Sequence, residues 1–555
     1  MKYFCILCSK NHSQTMRLLP YLLLLTLLTL EFTLLPAQSA IPRLSELDVL
    51  HYTFELELSD QTGQIKGLAT IRIRFLQPME SFTLDLVAKA EKGENGMTVT
   101  AITEGEESLN FQHQGETLTI QPHQPLATGE ERTFQIRYAG IPADGLIIDK
   151  NMHGDRTFFG DNWPNRAHHW LPCVDHPSDK ASVDFIVTAP SHYQVVGNGI
   201  LLEETNLTGE KTLSHWREDV PLPTKVMVIG AARFAVQYAG EAAGIPVSSW
   251  VYPQGREAGF YDYAQAVQIL QFFIDKIGPY PFRKLANVQS KTRYGGMENA
   301  SCIFYFEQSV TGHRDHEDLL AHEIAHQWFG NSASEKNWFH IWLSEGFATY
   351  GANLYIEHTY GREKMVERLK SERQRAIAFF RRKPAPIVDT TVTDWNDLLN
   401  PNSYQKAGFV LHMLRRQVGE EAFWKGLRQY YAQFQGRNAL TSDFQHVMEQ
   451  VSGQDLSAFF QQWIFRAGHP QLEAKWAYQK GQLKLSIRQV QKGEPFQFPL
   501  GIEAKGPDGQ TQGWTVEINS STLETTLDCP FEATELVLDP DTWLLFSGEV
   551  LSAKR

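Results

Sequence analysis

At 555 residues the chain is too long for one small domain, and a composition of 42% hydrophobic and 21% charged residues is ordinary for a globular protein. A net charge of −13 without any basic run argues against nucleic acid as a partner. Five cysteines, with Cys5 and Cys8 near the start and Cys173, Cys302 and Cys529 scattered, give neither a disulfide framework nor a metal-ligand spacing, though one disulfide among the last three stays open.

Lys2, Lys10 and Arg17 precede an apolar run over residues 18–35, and small residues follow it up to Ala40. A basic head, an apolar stretch and small residues predict an export signal over residues 1–40, removed after Ser39 or Ala40; a start at Met16 makes a shorter signal of the same kind. The competing reading is an uncleaved anchor, because about 18 apolar residues nearly span a bilayer. The expectation is an exported protein, periplasmic or extracellular, with no stable membrane partner once the signal is cut. It is membrane-anchored if the signal stays.

Residues 41–238 read as β: 53–58 and 69–75 alternate in polarity, and turn residues such as 60–63 separate such stretches. Residues 239–469 are dominated by helical patterns at 261–277, 317–330, 343–357, 363–382 and 405–418, with a short strand-rich part around 295–306. Residues 470–555 return to β, with a strand predicted over 482–490 and a turn at 507–509; their length suits a small β-sandwich. The fold class is therefore multidomain α+β.

The densest signal lies in His322-Glu323-Ile324-Ala325-His326. A random chain of this length and composition would contain the pattern on the order of 0.04 times. On a helix the two histidines sit one turn apart and point the same way, so both imidazoles can hold one ion, and Glu323 between them can reach an attacking water. Glu345 is placed to supply a third ligand. Two histidines and a carboxylate form a hydrolytic zinc set with one position open. Apolar stripes at Leu320, Ile324 and Trp328, and at Leu343, Phe347, Tyr350 and Leu354, predict two packed helices that converge on the ion. His313, His316 and His340 have no partner at ligand spacing. Upstream, Gly295-Gly296-Met297-Glu298-Asn299 precedes a predicted strand; beside a zinc helix it reads as a sheet edge on which an extended peptide can lie.

Together these runs resemble the M1 family of zinc aminopeptidases, of the gluzincin clan. The stretches 326–331 and 342–348, and the Pro172-Cys173-Val174-Asp175-His176-Pro177 segment, are similar to that family's pattern, with His176 where the family usually has Glu and Gly296 where its commonest form has Ala. The resemblance spans residues 41–555. It implies an N-terminal β saddle domain, a thermolysin-like α/β zinc catalytic domain and a C-terminal β-sandwich. One Zn2+ per chain would be held by His322, His326 and Glu345. Glu323 would be the general base, Glu298 would bind the free α-amino group, and Gly295, Gly296, Met297 and Asn299 would complete the substrate-binding run. Tyr404, in a Tyr-x-Lys segment with Ala407 where the family has Gly, would donate to the oxyanion. The segment 160–163 would approach the site. Many members carry a further large helical domain, which this chain stops too soon to include; a more open cleft, or closure by a second subunit in a homo-oligomer, is expected.

The expected partners are peptides with a free N-terminus. An ammonium facing Glu298 gains a charge-assisted hydrogen bond, whereas an internal peptide leaves that carboxylate unpaired at a cost of several kcal/mol. The alternatives are a thermolysin-like endopeptidase, an inactive exported peptide-binding protein on the same scaffold, and an epoxide hydrolase of the leukotriene type.

Overall fold

A computed structural model describes residues 46–91 and 93–552. The expected export segment lies outside these residues. Among the described residues no helix is long and apolar enough to cross a membrane.

The N-terminal part is β-rich, with short 3-10 turns at Ala167–His169 and Thr224–Val226. Its eight-stranded sheet has Leu47–Glu57 near the centre, antiparallel to Ile65–Phe75 on one side and parallel to Ala181–Pro190 on the other. Alternation buries Leu47 and Val49, then slips by one residue to bury Tyr52, Phe54 and Leu56. The slip is a bulge between Val49 and His51, where an extra residue turns the strand's faces over. Phe54 pairs with Phe185 in register, their rings stacked 5.6 Å apart. A four-stranded sheet carries Arg156–Gly160, which leads into the segment ending at Trp163.

The central part combines a five-stranded sheet with helices. In that sheet Ile245–Val251, Leu285–Ser290 and Cys302–Phe306 run parallel, and the two-residue strand Gly296–Met297 forms one edge, antiparallel to Cys302–Phe306. The helices are α1 (Arg256–Tyr263), α2 (Ala266–Ile277), α3 (Glu317–Ala325), α4 (Trp342–Tyr360), α5 (Arg362–Arg382), α6 (Ala407–Val418), α7 (Glu420–Phe434), α8 (Thr441–Ser452) and α9 (Ser457–Trp463). The expected helix over 261–277 is divided at Ala264 and Gln265, and it starts earlier, at Arg256. The expected helix over 317–330 stops at Ala325, because the chain turns through Gly330 at φ +115°. That turn lets Asn331 donate to the Glu298 carbonyl at 2.6 Å.

Helix α4 is buried from Trp342 to Ile356. It lies tight against α3 because Gly351 has no side chain: a Cβ there would press on the Ala325 methyl at 2.9 Å. This close approach brings Glu345 to the histidine pair.

The C-terminal part is two sheets. Gln471–Gln479 pairs with Gln482–Gln489 and Ser547–Ser552, and Phe498–Lys505 pairs with Thr511–Ile518 and Glu535–Leu538. Leu472, Ala474 and Trp476 in one sheet and Leu500, Ile502 and Ala504 in the other alternate inward, the period-2 pattern of strands with one buried face. Cys173, Cys302 and Cys529 are buried free thiols, so no disulfide joins them.

Candidate active site

Helix α3 places His322 and Glu323 on its last turn, and His326 follows as its C-cap. The two Nε2 atoms face each other at 3.1 Å, and Glu345 Oε2 lies 3.5 Å from His322 Nε2 and 3.3 Å from His326 Nε2. In a tetrahedral site with bonds of about 2.0–2.1 Å the ligand atoms stand about 3.3 Å apart. The triangle of donors therefore matches a single divalent cation, and the donor set is two imidazoles and a carboxylate. Burial alone would lower the His326 imidazole, but Glu345 and then Glu298 push it up to about 9. Burial would raise the Glu345 carboxyl, and His326 and His322 hold it well below the usual range. The His326–Glu345 charge pair thus occupies the place where a cation fits.

His326 Nδ1 faces the Phe329 carbonyl at 3.2 Å and Ser344 Oγ at 3.1 Å. A proton on Nδ1 donated to the Phe329 carbonyl leaves Nε2 as the ligand atom. Burial lowers the His322 imidazole, which favours its neutral, ligating form.

A cavity of about 310 Å³ opens beside this triangle. Gly295, Gly296, Met297, Glu298, Glu323 and Tyr404 line it. Glu298, Glu323 and His326 each bring one ligating atom within 4.8 Å of the others. Glu298 Oε1 is buried without a hydrogen-bond partner, while the residue's backbone carbonyl accepts from Gln327 Nε2 at 2.9 Å and Asn331 Nδ2 at 2.6 Å. Its backbone is fixed and its carboxylate waits for a donor. Burial, together with Glu298 and Glu345, pushes the Glu323 carboxyl well above the usual range, opposed by His326. A methyl on Gly296 would overlap the Glu323 carboxylate, so in this chain the glycine leaves that group its place.

Tyr404 stands in a wide turn, Asn402–Lys406, in which Lys406 N bonds the Pro401 carbonyl at 2.8 Å. The expected helix over 405–418 thus starts at Ala407, after this π-type turn, a feature frequent at functional sites. The Tyr404 ring stacks on His322, 6.1 Å between centroids and 11° between planes. Burial, then Glu345 and Glu298, push its hydroxyl well above the usual tyrosine range, so it remains a donor.

Of the sequence-predicted residues, Asn299 alone stands off the cavity wall: it is fully buried, with both side-chain amide atoms unpaired. His340 bonds Thr441 Oγ1 at 2.8 Å, far from any ligand role. The segment ending at Trp163 reaches the cavity; Trp163 meets Tyr294 edge-on at 6.4 Å, and Asp161 accepts from Arg293 N at 2.9 Å. Sequence reasoning gave no role to Gln327, Asn331 or Ser344, although all three lie inside the runs it singled out. It also gave none to Asp318, Arg368, Glu372 and Arg375, which line the cavity.

Comparison with known proteins agrees with this geometry. A sequence model of the Peptidase M1 N-terminal domain matches residues 49–226, and one of the Peptidase family M1 domain matches residues 261–463. Glutamyl aminopeptidase of Sus scrofa is 25% identical over 330 residues, covering 57% of this chain and 35% of that protein. Leucyl aminopeptidase of Saccharolobus solfataricus is 24% identical over 479 residues, covering 83% of this chain and 59% of that protein. The chain thus spans about a third to three fifths of the length of these relatives. The crystal structure of the M1 zinc metallopeptidase from Deinococcus radiodurans shares the fold, with a TM-score of 0.64 at 23% identity over 77% of this chain and 95% of that one. With one M1 match on its β-rich N-terminal part and another on the part that carries the His322–His326–Glu345 triangle, the chain belongs to peptidase family M1.

Proposed function

We propose that the chain is a zinc-dependent aminopeptidase that hydrolyses the first amide of peptides with a free N-terminus. One observation carries the reading: an unpartnered buried carboxylate, Glu298, lies within 4.8 Å of Glu323 and of the metal-ligand histidine His326. One extended residue spans about 3.3–3.6 Å. An ammonium on Glu298 therefore leaves room for a single residue before the carbonyl that Glu323 can serve.

His322, His326 and Glu345 would hold the ion, which when bound would polarise a carbonyl and lower the pKa of water toward neutrality. Glu323 takes a proton from the attacking water and passes it to the leaving nitrogen; a carboxyl raised by burial is suited to both halves of that task. The Tyr404 hydroxyl donates to the developing oxyanion, a contact typically worth about 3 kcal/mol of barrier. The edge strand Gly296–Met297 offers backbone groups to an extended substrate. Trp163, Tyr294, Met297 and Leu399 give the wall an apolar stretch, which favours a large apolar first side chain. Export is part of the proposal and rests on residues 1–40 of the sequence.

A panel of aminoacyl arylamides, free and N-acetylated, on the purified zinc-loaded protein tests the reading. Cleavage of the free forms and none of the acetylated forms is expected. Equal cleavage of both would make the protein an endopeptidase.

A further inference from the structure

The cavity has two charged ends. Glu298 stands at one. At the other, Asp318, Arg368, Glu372 and Arg375 line the same wall. Helix α3 supplies the direction, because Asp318, His322 and His326 all face the cavity at successive turns. At 1.5 Å per residue, Asp318 lies about 6 Å along the axis from His322 and about 12 Å from His326. Glu298 groups with His326, so a peptide anchored there by its ammonium runs past the metal ligands toward the arginines.

Most charges at that far end are already paired. Arg368 Nη1 bonds Asp318 Oδ2 at 2.8 Å, and its Nε bonds Asn353 Oδ1 at 2.8 Å. Asn353 Nδ2 donates to both Glu372 oxygens, at 3.0 and 2.9 Å. Burial pushes the Glu372 carboxyl up to about 7, so it carries only part of a charge near neutrality. Arg375, three residues on along α5, is exposed in the cavity lining and makes no hydrogen bond or close ion pair with any described residue; the only carboxylate on which its charge is seen to act is Glu372, which Asn353 already engages. The Arg368 pairing fixes the floor and leaves Arg375 as an open guanidinium fork, a group whose geometry matches a carboxylate.

We propose that Arg375 receives a substrate carboxylate on the leaving side of the scissile bond, so that the cavity clamps a short peptide by both of its charged ends. This rests on the aminopeptidase reading. The carboxylate comes either from the C-terminus of a di- or tripeptide or from an acidic side chain at the second or third residue.

The zinc-loaded full chain is assayed with the tripeptide Leu-Gly-Gly as free acid and as C-terminal amide, and with Leu-Gly-Asp amide. In parallel, calorimetry measures binding of a tripeptide whose first amide is replaced by a methylene-amine, again as acid and as amide. We expect kcat/KM for the acid to exceed that for the amide by about five- to tenfold, mostly through KM, as for a partly exposed charge-assisted contact. The ratio falls to about one in Arg375→Gln, is partly kept in Arg375→Lys, and shrinks at about 0.5 M salt. If Leu-Gly-Asp amide matches the acid, the subsite takes side-chain carboxylates too; if it behaves as the Gly amide, the subsite reads the chain terminus. An acid-to-amide ratio of one in the unmodified protein, or an unchanged ratio in Arg375→Gln, overturns the subsite. If aminoacyl arylamides are not cleaved but the uncleavable acid still binds better than its amide through Arg375, the subsite stands and the aminopeptidase reading falls.

Discussion

Ser344 Oγ fills the space that a side chain on Gly330 would need, and it touches His326 Nδ1 at 3.1 Å. Gly330 also stands at φ +115°, a conformation costly for any residue with a Cβ. Gly330→Ala is therefore expected to cost about 1–3 kcal/mol of stability and to displace the His326 ring. Thermal unfolding and zinc content check this together. A variant with native Tm and full metal would refute the strain argument.

His326 carries its proton up to about 9 because Glu345 and Glu298 surround it. A ligating imidazole must give that proton up, so zinc binding is coupled to its release. Adding Zn2+ to chelator-stripped protein at neutral pH should release about one proton, read by calorimetry in buffers of different ionisation heat. Tm should rise as well, by the equivalent of about 3 kcal/mol at a hundredfold excess over Kd. Zinc uptake without a change in buffer protonation would contradict a His326 imidazole held charged by Glu345.

Glu298 Oε1 has no hydrogen-bond partner among the described residues. Glu298→Gln keeps the shape and removes the charge. A loss of one to two orders of magnitude in kcat/KM on free aminoacyl arylamides is expected, the size of a charge-assisted hydrogen bond. Metal content should stay unchanged, because the carboxylate is not one of the triangle's donors. Parallel loss of zinc and turnover would assign Glu298 to the metal instead.

Asp179 is buried; Oδ1 accepts from Val49 N at 3.1 Å and Oδ2 has no partner. Burial pushes its carboxyl up to about 8. The folded state then binds this proton more tightly than the unfolded chain does. The contribution is fully present below the unfolded pKa of about 4 and is lost as pH rises through about 8, with a slope of up to about 1.4 kcal/mol per unit. Asp179→Asn keeps the acceptor for Val49 and removes the titration. Denaturant unfolding from pH 5 to pH 8 should show a flatter decline for the variant than for the parent protein; identical slopes would remove Asp179 as the cause.

The parts of the site legible in the sequence are those in which short spacing dictates geometry. Two histidines four residues apart on an apolar-faced helix share a face whatever the rest of the fold does, so His322 and His326 were readable, as was Glu323 between them. Gly296 and Met297 were readable as a sheet edge because glycines and a following β-rich run set local backbone shape. Less was legible where distant segments meet. Where α3 stops early at the turn through Gly330, Asn331 bonds the Glu298 carbonyl, a contact across 33 positions. The wide turn at Asn402–Lys406 that brings Tyr404 onto His322 has no periodic signal.

By itself the sequence determined the α+β make-up and the histidine pair with Glu323 between them, because these depend on residue identity and on periodicities of two and 3.6; the role expected of Glu298 came from the resemblance to family M1. Only the tertiary structure decided that Glu345 closes a triangle with the histidines, that Glu298 Oε1 stays without a hydrogen bond near Glu323, and that Arg375 lines the same cavity. Those facts arise from how α3, α4 and α5 pack and from which buried charges find partners. Packing and pairing are set by contacts between residues far apart in the chain, and no local pattern encodes them.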